Sequence, residues 1–192
     1  KNPLGGLSRK YMAIEKMRKD GGDPLILDAG DMFFSTTKLN DNNLKSEKHR
    51  CETMLEAYEK IGCDGLNIGK YELLAGLGYL KDMKEKYTNI DFISANIRDK
   101  KTNDLIFSPY KIIQKENLNV GVIGITNMVP DSMESIIVDD YIKAGNDYIK
   151  KIENKVDIIV MLINAERSIQ SSLTNNFKNA DFIFTSGSTH KT

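Results

Sequence analysis

Leu25-Ile-Leu-Asp-Ala-Gly-Asp31 reads as a buried strand that ends in a loop carboxylate. The apolar run leads straight into Gly30 and Asp31, so an acid is presented at the carboxyl end of a strand. In open α/β sheets that edge is where ligands bind. Three later segments end in the same way: Gly69-Lys-Tyr-Glu72, Leu162-Ile-Asn164 and Ser186-Gly-Ser-Thr-His190. The pattern predicts that Asp31, Lys70, Tyr71, Asn164, Ser188 and His190 meet at one end of a sheet, although they are far apart in the chain.

Working outward from that strand, helical and strand periods alternate. Leu7, Tyr11, Ile14 and Met17 recur at three- and four-residue steps and predict an amphipathic helix ending at Gly21-Gly22. Phe33 to Lys45 is polar and Asn-rich, a loop. Ser46 can cap a helix whose inner stripe is Cys51, Met54, Leu55, Tyr58 and Ile61, with Gly62 as its stop. A short strand is expected over Asp64–Ile68, a helix over Leu73–Tyr87 with Glu72 as its cap, and a strand over Ile90–Ala95. Pro109–Lys115 and Val120–Ile125 flank a turn at Glu116–Asn119 and predict a hairpin. A helix follows near Asp140–Glu153, then the longest apolar run, Val156–Ile163, a helix over Glu166–Phe177 and a last strand over Asp181–Thr185. Near-continuous apolar strands between helices imply a sheet sandwich covered by helices. No internal repeat, low-complexity tract or linker interrupts the series.

Composition narrows the function classes. At 192 residues the chain is long enough for one sizeable core, and 40% hydrophobic with 28% charged residues describes a globular rather than a disordered polypeptide. Lys and Arg number 27, as do Asp and Glu, and a net charge of zero argues against nucleic-acid binding driven by phosphate neutralisation. No apolar run approaches the roughly 18 residues that a membrane-spanning helix requires. Cys51 lies on a helical stripe and Cys63 just beyond it, which predicts two buried free thiols and leaves the compartment open.

Seven segments, in order, resemble the motif series of the metallophosphoesterases, and of the 5′-nucleotidase family in particular. They are Gly5-Gly-Leu-Ser-Arg9, Asp28-Ala-Gly-Asp31, the stretch from Tyr58 to Glu72, Phe92-Ile-Ser-Ala-Asn96, Val120-Gly-Val-Ile-Gly-Ile-Thr126, the run from Val156 to Asn164, and Ser186-Gly-Ser-Thr-His190. The resemblance implies an α/β fold, a mixed β-sheet sandwich flanked by helices on both sides. It also implies two metal ions bridged by a carboxylate and a water, which activate the water and clamp a phosphoryl group.

Against that pattern Asp31 matches the bridging carboxylate and His190 the last ligand histidine. Lys70 stands where the family has a ligand Asn, Tyr71 where it has the catalytic His, and Asn164 and Ser188 where it has two ligand histidines. Two residual protein ligands are too few for two ions that each need about four to six donors. An ammonium beside a dication is repulsive, so Lys70 is expected to replace the metal and pair with Asp31. Tyr71, with an ordinary pKa near ~10, cannot act as an imidazolium does at neutral pH. The expectation is a domain without hydrolase activity and without a cofactor, kept as a structural, assembly or binding module. The alternatives are a phosphohydrolase acting on nucleotides or other phosphomonoesters, with a divalent metal pair and ligands supplied from outside this segment, and a small-ligand pocket in the old cleft contacted by Lys70 and Asn164.

The family's first metal motif would lie upstream of Lys1, on a strand inside the sheet. Residues 1–192 are therefore expected to form one such domain without its first strand and C-terminal part. Another segment or protein chain should fill a slot beside Leu25–Leu27 and Val156–Ile163, because unpaired strand edges are costly when buried. By resemblance alone, the location implied is extracytoplasmic, in the periplasm or at the cell surface.

Overall fold

The computed structural model describes residues 6–131 and 133–187. The described residues form, in order, α1 (Leu7–Lys19), β1 (Leu27–Asp28), α2 (Leu44–Ile61), β2 (Gly65–Asn67), α3 (Gly76–Lys86), β3 (Phe92–Ile93), β4 (Ile97–Asp99), β5 (Tyr110–Lys115), β6 (Leu118–Thr126), β7 (Ile136–Val138), α4 (Tyr141–Ile152), β8 (Ile158–Asn164), α5 (Arg167–Gln170), α6 (Leu173–Asn176) and β9 (Phe182–Ser186).

Two sheets face each other. The first is parallel, in the order β1-β2-β3; the second is mixed, in the order β5-β6-β8-β9, with an antiparallel β5-β6 hairpin and parallel pairing from β6 to β9. Between them pack Ile93, Val120, Val122, Val160 and Leu162, with Leu25, Leu27 and Ala29 against them. On the outer face of the second sheet, Ile149 and Ile152 of α4 meet Ile123, Ile125, Met161 and Ile163. The approach is close enough that a Cβ on Gly121 would lie 2.5 Å from Ile152 Cδ1. On the first sheet, Leu55 and Ile61 of α2 and Leu80 of α3 pack with Leu66, Ile68, Phe33 and Phe34. Each such fully buried large side chain contributes about 1.5–3 kcal/mol of transfer free energy.

The longest apolar run is an interior strand, as its near-continuous hydrophobicity predicts: β8 is hydrogen-bonded to β6 on one side and β9 on the other. The gap between Leu25–Leu27 and this strand is therefore bordered by an edge on one side alone: among the described residues β1 is hydrogen-bonded only to β2, whereas β8 turns its inner face, not an edge, toward it. The first sheet is one strand narrower than the second.

Other boundaries shift for local reasons. α2 begins at Leu44 rather than at Ser46, because Asn43 bonds back to the Asn40 backbone and starts the turn itself, while the Ser46 hydroxyl donates to Asn43 O. α3 begins at Gly76, not Leu73, since Lys70–Ala75 forms successive tight turns that aim Glu72 inward. The expected helix over Glu166–Phe177 splits into α5 and α6 at Ser171 and Ser172, where the Ser172 hydroxyl donates to Ile169 O. The antiparallel pair β4-β7 was not expected; three residues on each side are too few to show a period. On α1 only Ile14 is buried, so Tyr11 and Met17 of the predicted stripe face solvent. Cys51 and Cys63 are buried free thiols.

Candidate functional site

The loop after β1 is built to hold one carboxylate in an unusual conformation. Gly30 (φ 99°) and Asp31 (φ 66°) are both left-handed. Gly30 must be glycine on two counts: its φ, and a backbone so close that a Cβ would sit 2.9 Å from Asn67 O. For Asp31 the conformation is uncommon and costs of order 1–3 kcal/mol unless the surroundings enforce it.

Glu72 enforces it. Its Oε2 accepts from Asp31 N (2.8 Å) and Gly69 N (2.9 Å), and its Oε1 from Met32 N (2.7 Å) and Phe33 N (3.2 Å). The residue is fully buried. Glu72 therefore caps the Asp31 loop rather than the helix that follows it. Burial, and then the nearby Asp31 charge, push its pKa up to about 7, with the loop N–H groups pulling the other way.

Around this cap the structure gathers Asp31, Lys70, Tyr71 and Asn164. Tyr71 N donates to Asp31 Oδ1 at 2.9 Å, and Lys70 N donates to Asn164 Oδ1 at 3.0 Å. The Asp31 carboxyl is held above its usual range chiefly by burial, opposed by the Tyr71 N–H and Asn164, and raised further by Asp28; Lys70 is the weakest of these influences. The expected Lys70–Asp31 ion pair does not form: no such contact within 4 Å occurs among the described residues. Lys70 works through its backbone. Burial and the Asp31 charge raise the Tyr71 phenol further, away from acid catalysis near neutrality. Ser188 and His190 lie outside the described residues.

Asn164, fully buried at the end of β8, is committed at both ends of its amide. Besides accepting from Lys70, its Oδ1 lies 3.1 Å from the Thr126 hydroxyl, and its Nδ2 donates to Ser186 Oγ at 2.8 Å. The Ser186 hydroxyl in turn donates to Ala29 O at 2.7 Å. One side chain thus ties β8, β6, β9, the Lys70 turn and, through Ser186, the end of β1. Its Nδ2 carries a second N–H, and Asn164 also acts on the Asp31 carboxyl, pulling its pKa down. Gly69 makes room for it: a Cβ there would fall 2.7 Å from Asn164 Cγ and 2.9 Å from Asp31 Oδ1.

Two further carboxamides close the strand ends. Asn67 Nδ2 donates to Ala29 O and Ile125 O, each at 3.0 Å, bridging the two sheets. Asn96 donates to Thr126 O (2.7 Å) and accepts from Thr126 N (3.0 Å). Asn67 carried a signal in the sequence, a lone amide inside the apolar run Leu66-Asn67-Ile68. Gly187 is pressed so tightly on Ala165 that any Cβ would clash with its carbonyl.

The described donors do not fit a pair of metal ions. Among the described residues no group of three His, Cys, Asp or Glu side chains is poised to hold even one. Among the described residues at the site, the Asp31 carboxylate accepts from Tyr71 N, Glu72 is turned to the backbone, and the Asn164 amide bonds Lys70 N and Ser186 Oγ.

No family model matches the chain. Among individual proteins, it is 31% identical to a 5′-nucleotidase of Vibrio cholerae over an alignment of 153 residues that covers 77% of this chain and 24% of that protein. The chain thus spans about a quarter of the length of the curated relatives it matches. Among solved structures, it is similar to the sulfate thiohydrolase SoxB of Thermus thermophilus (TM-score 0.77, 21% identity, 95% of this chain and 34% of that one). It is likewise similar to a putative 5′-nucleotidase of Staphylococcus aureus solved with α-ketoglutarate (TM-score 0.76, 21% identity, 95% of this chain and 39% of that one).

Proposed function

The chain belongs to the 5′-nucleotidase family of metallophosphoesterases, and we propose that it is a catalytically silent nucleotidase-like domain serving as a structural, assembly or binding module. The observation that carries this reading is the Asn164 amide. At a position where the family resemblance calls for a ligand histidine, the amide oxygen accepts from Lys70 N and the amide nitrogen donates to Ser186 Oγ. Hydrogen bonds between strand ends do here what a shared metal would otherwise do, drawing β8, β9 and the Lys70 turn onto Asp31. Lys70 and Tyr71 add no ligand, and the domain works without a cofactor.

On the same reading this is one domain of a larger polypeptide or assembly, its first sheet completed by a segment from outside residues 1–192. The narrower first sheet and the quarter-length match to relatives support this. The compartment proposed is extracytoplasmic, with no nucleic acid as partner; no described helix is long and apolar enough to cross a bilayer.

Metal analysis of the purified protein, with a phosphomonoesterase assay on nucleotides in excess Mn²⁺ or Zn²⁺, tests the reading. The expected result is no stoichiometric metal, no metal-dependent thermal shift and no turnover. Two metal peaks about 3.5–4 Å apart beside Asp31, or metal-dependent hydrolysis, would overturn it in favour of a phosphohydrolase. Lys70→Asn, Tyr71→His, Asn164→His and Ser188→His together are the minimum change expected to bring back metal binding.

A further inference from the structure

We infer that Asp64, Asp157 and Asp181, at the opposite end of the sheets from Asp31 and Asn164, lock the register of the parallel strands and so position the site residues. Each aspartate stands where the chain leaves a helix and enters a parallel strand: after α2 at β2, after α4 at β8 and after α6 at β9. Each grips a single residue of the neighbouring strand twice. The Asp64 carboxylate accepts from Ile26 N (2.8 Å), while Asp64 N donates to Ile26 O (2.8 Å). Asp157 does the same to Asn119 (2.7 and 2.8 Å), and Asp181 to Ile159 (2.7 and 2.9 Å). In all three, regular pairing begins at the very next residue of both strands: Leu27 with Gly65, Val120 with Ile158, and Val160 with Phe182.

The apolar side chains set that register only weakly. On β8, Val160 and Leu162 pack between the two sheets, and Ile159, Met161 and Ile163 pack on the other face with α4. Sliding the strand by two residues sets apolar side chains on apolar neighbours on both faces, so the hydrophobic pattern does not tell one alignment from the other. Such a slip would nonetheless carry the end of the strand about 6.6 Å along the sheet. The ties at the site end tolerate nothing of that size. Thr126 pairs with Asn164 and Asn164 with Ser186, and their side chains are joined at 3.1 and 2.8 Å.

A polar clamp discriminates where the apolar faces do not. In a slipped alignment the gripped N–H loses its carboxylate acceptor and the gripped C=O loses its donor, so only the native alignment makes both bonds. Asp91 supplies the contrast. It too enters a parallel strand, β3, and its C=O accepts from Leu66 N (2.9 Å), but its carboxylate turns to Lys111 Nζ (2.7 Å) and takes no N–H of the neighbouring strand. What the three clamps need is an acceptor at the side-chain oxygen, which an amide supplies as well as a carboxylate.

The test is amide hydrogen exchange, read residue by residue by NMR on the 192-residue chain. Two far-end amides report on the two strand pairs: Asn127 N–H, bonded to Asn164 O at 3.0 Å, and Ala165 N–H, bonded to Ser186 O at 3.0 Å. Asp157→Ala should speed exchange at Asn127 by roughly three- to tenfold, and Asp181→Ala should do so at Ala165, the worth of one hydrogen bond. Exchange within α2 should stay unchanged, which a uniform loss of stability would not allow. Asp157→Asn and Asp181→Asn should keep the native rates, and so should Asp91→Ala. The inference is overturned if the far-end amides do not respond to the alanine variants, if α2 speeds up in step with them, or if Asp91→Ala has the same effect. It is also overturned if the asparagine variants lose the far-end protection, a result that stands even where the alanine variants fail to fold.

Discussion

Asn164→Ala tests whether the amide is a structural tie or an inert relic. The substitution removes the acceptor for Lys70 N at 3.0 Å and the donor to Ser186 Oγ at 2.8 Å, while the Thr126 hydroxyl keeps Met128 O at 2.9 Å. Asn164 is fully buried, so partners left behind are poorly rehydrated. A net hydrogen bond contributes about 0.5–1.5 kcal/mol, and a buried group left unpaired costs about 1–3 kcal/mol. Two such losses, partly relieved by water entering from the half-buried Lys70 turn, come to about 3 kcal/mol. For a chain of this length that lowers Tm by roughly 6–12 °C. Urea unfolding followed by circular dichroism measures the free energy. A double-mutant cycle with Ser186→Ala isolates the pair, with a coupling of about 0.5–3 kcal/mol expected for groups in direct contact. A loss below about 0.5 kcal/mol, the scale of an indifferent surface change, would refute the idea that this amide holds the strand ends together.

Gly69→Ala should destabilise by about 1–3 kcal/mol, because its Cβ would press on Asn164 and Asp31, and the loss should shrink in an Asn164→Ala background. Glu72→Ala orphans the four loop N–H groups and should cost more than Asp31→Ala in the same urea assay, the reverse of what a metal-bridging Asp31 would give. Glu72 holds its proton more tightly in the native chain (to about 7) than its ordinary 4.5, so the native state binds more protons in that window. Stability should fall as pH rises from about 4.5 to 7, with the slope reduced in Glu72→Gln. Burial pushes both Cys51 and Cys63 up to about 12, so neither should react with a thiol reagent at pH 8 until the chain unfolds, and the labelling rate should track the urea transition.

The central strands were legible because they are buried on both faces. Ile158–Ile163 is hydrophobic without a break and Val120–Ile125 is interrupted only by glycine, as a covered strand of that length reads. The meeting of Asp31, Lys70, Tyr71 and Asn164 was legible for a topological reason: each follows or ends an apolar strand, and β1 and β2 in one sheet and β6, β8 and β9 in the other are parallel, so the ends within each sheet gather on one side. What each residue does there was not legible. A lysine announces a charge, yet Lys70 acts through its main-chain N–H, and any residue but proline brings that group. Glu72 looked like a helix cap because it precedes an apolar period; only the tertiary turn at Lys70–Ala75 aims it at the loop of β1.

The division of labour between Asp31 and Glu72 explains how such a site can lose its donors and keep its shape. Asp31 sits in a left-handed conformation that needs outside support, and one could suppose that whatever its carboxylate binds provides it. The hydrogen bonds say otherwise. Glu72 takes hold of the backbone N–H groups of Asp31, Met32 and Phe33 from behind, together with Gly69 N, none of which involves the Asp31 carboxylate. Asn164 ties the remaining strand ends from the other side. With the loop held by Glu72 and the strand ends by Asn164, Ser186 and Asn67, the conformation at Asp31 is independent of any ion in front of it. Substitutions at positions 70, 71 and 164 therefore carry little penalty in fold so long as they preserve a backbone N–H or a side-chain amide where these bonds need one. Asn meets that condition at 164 with a donor and an acceptor on one planar group; a neutral imidazole offers the same pair on a larger ring, which would have to displace the Gly69 backbone that now packs directly against Asn164.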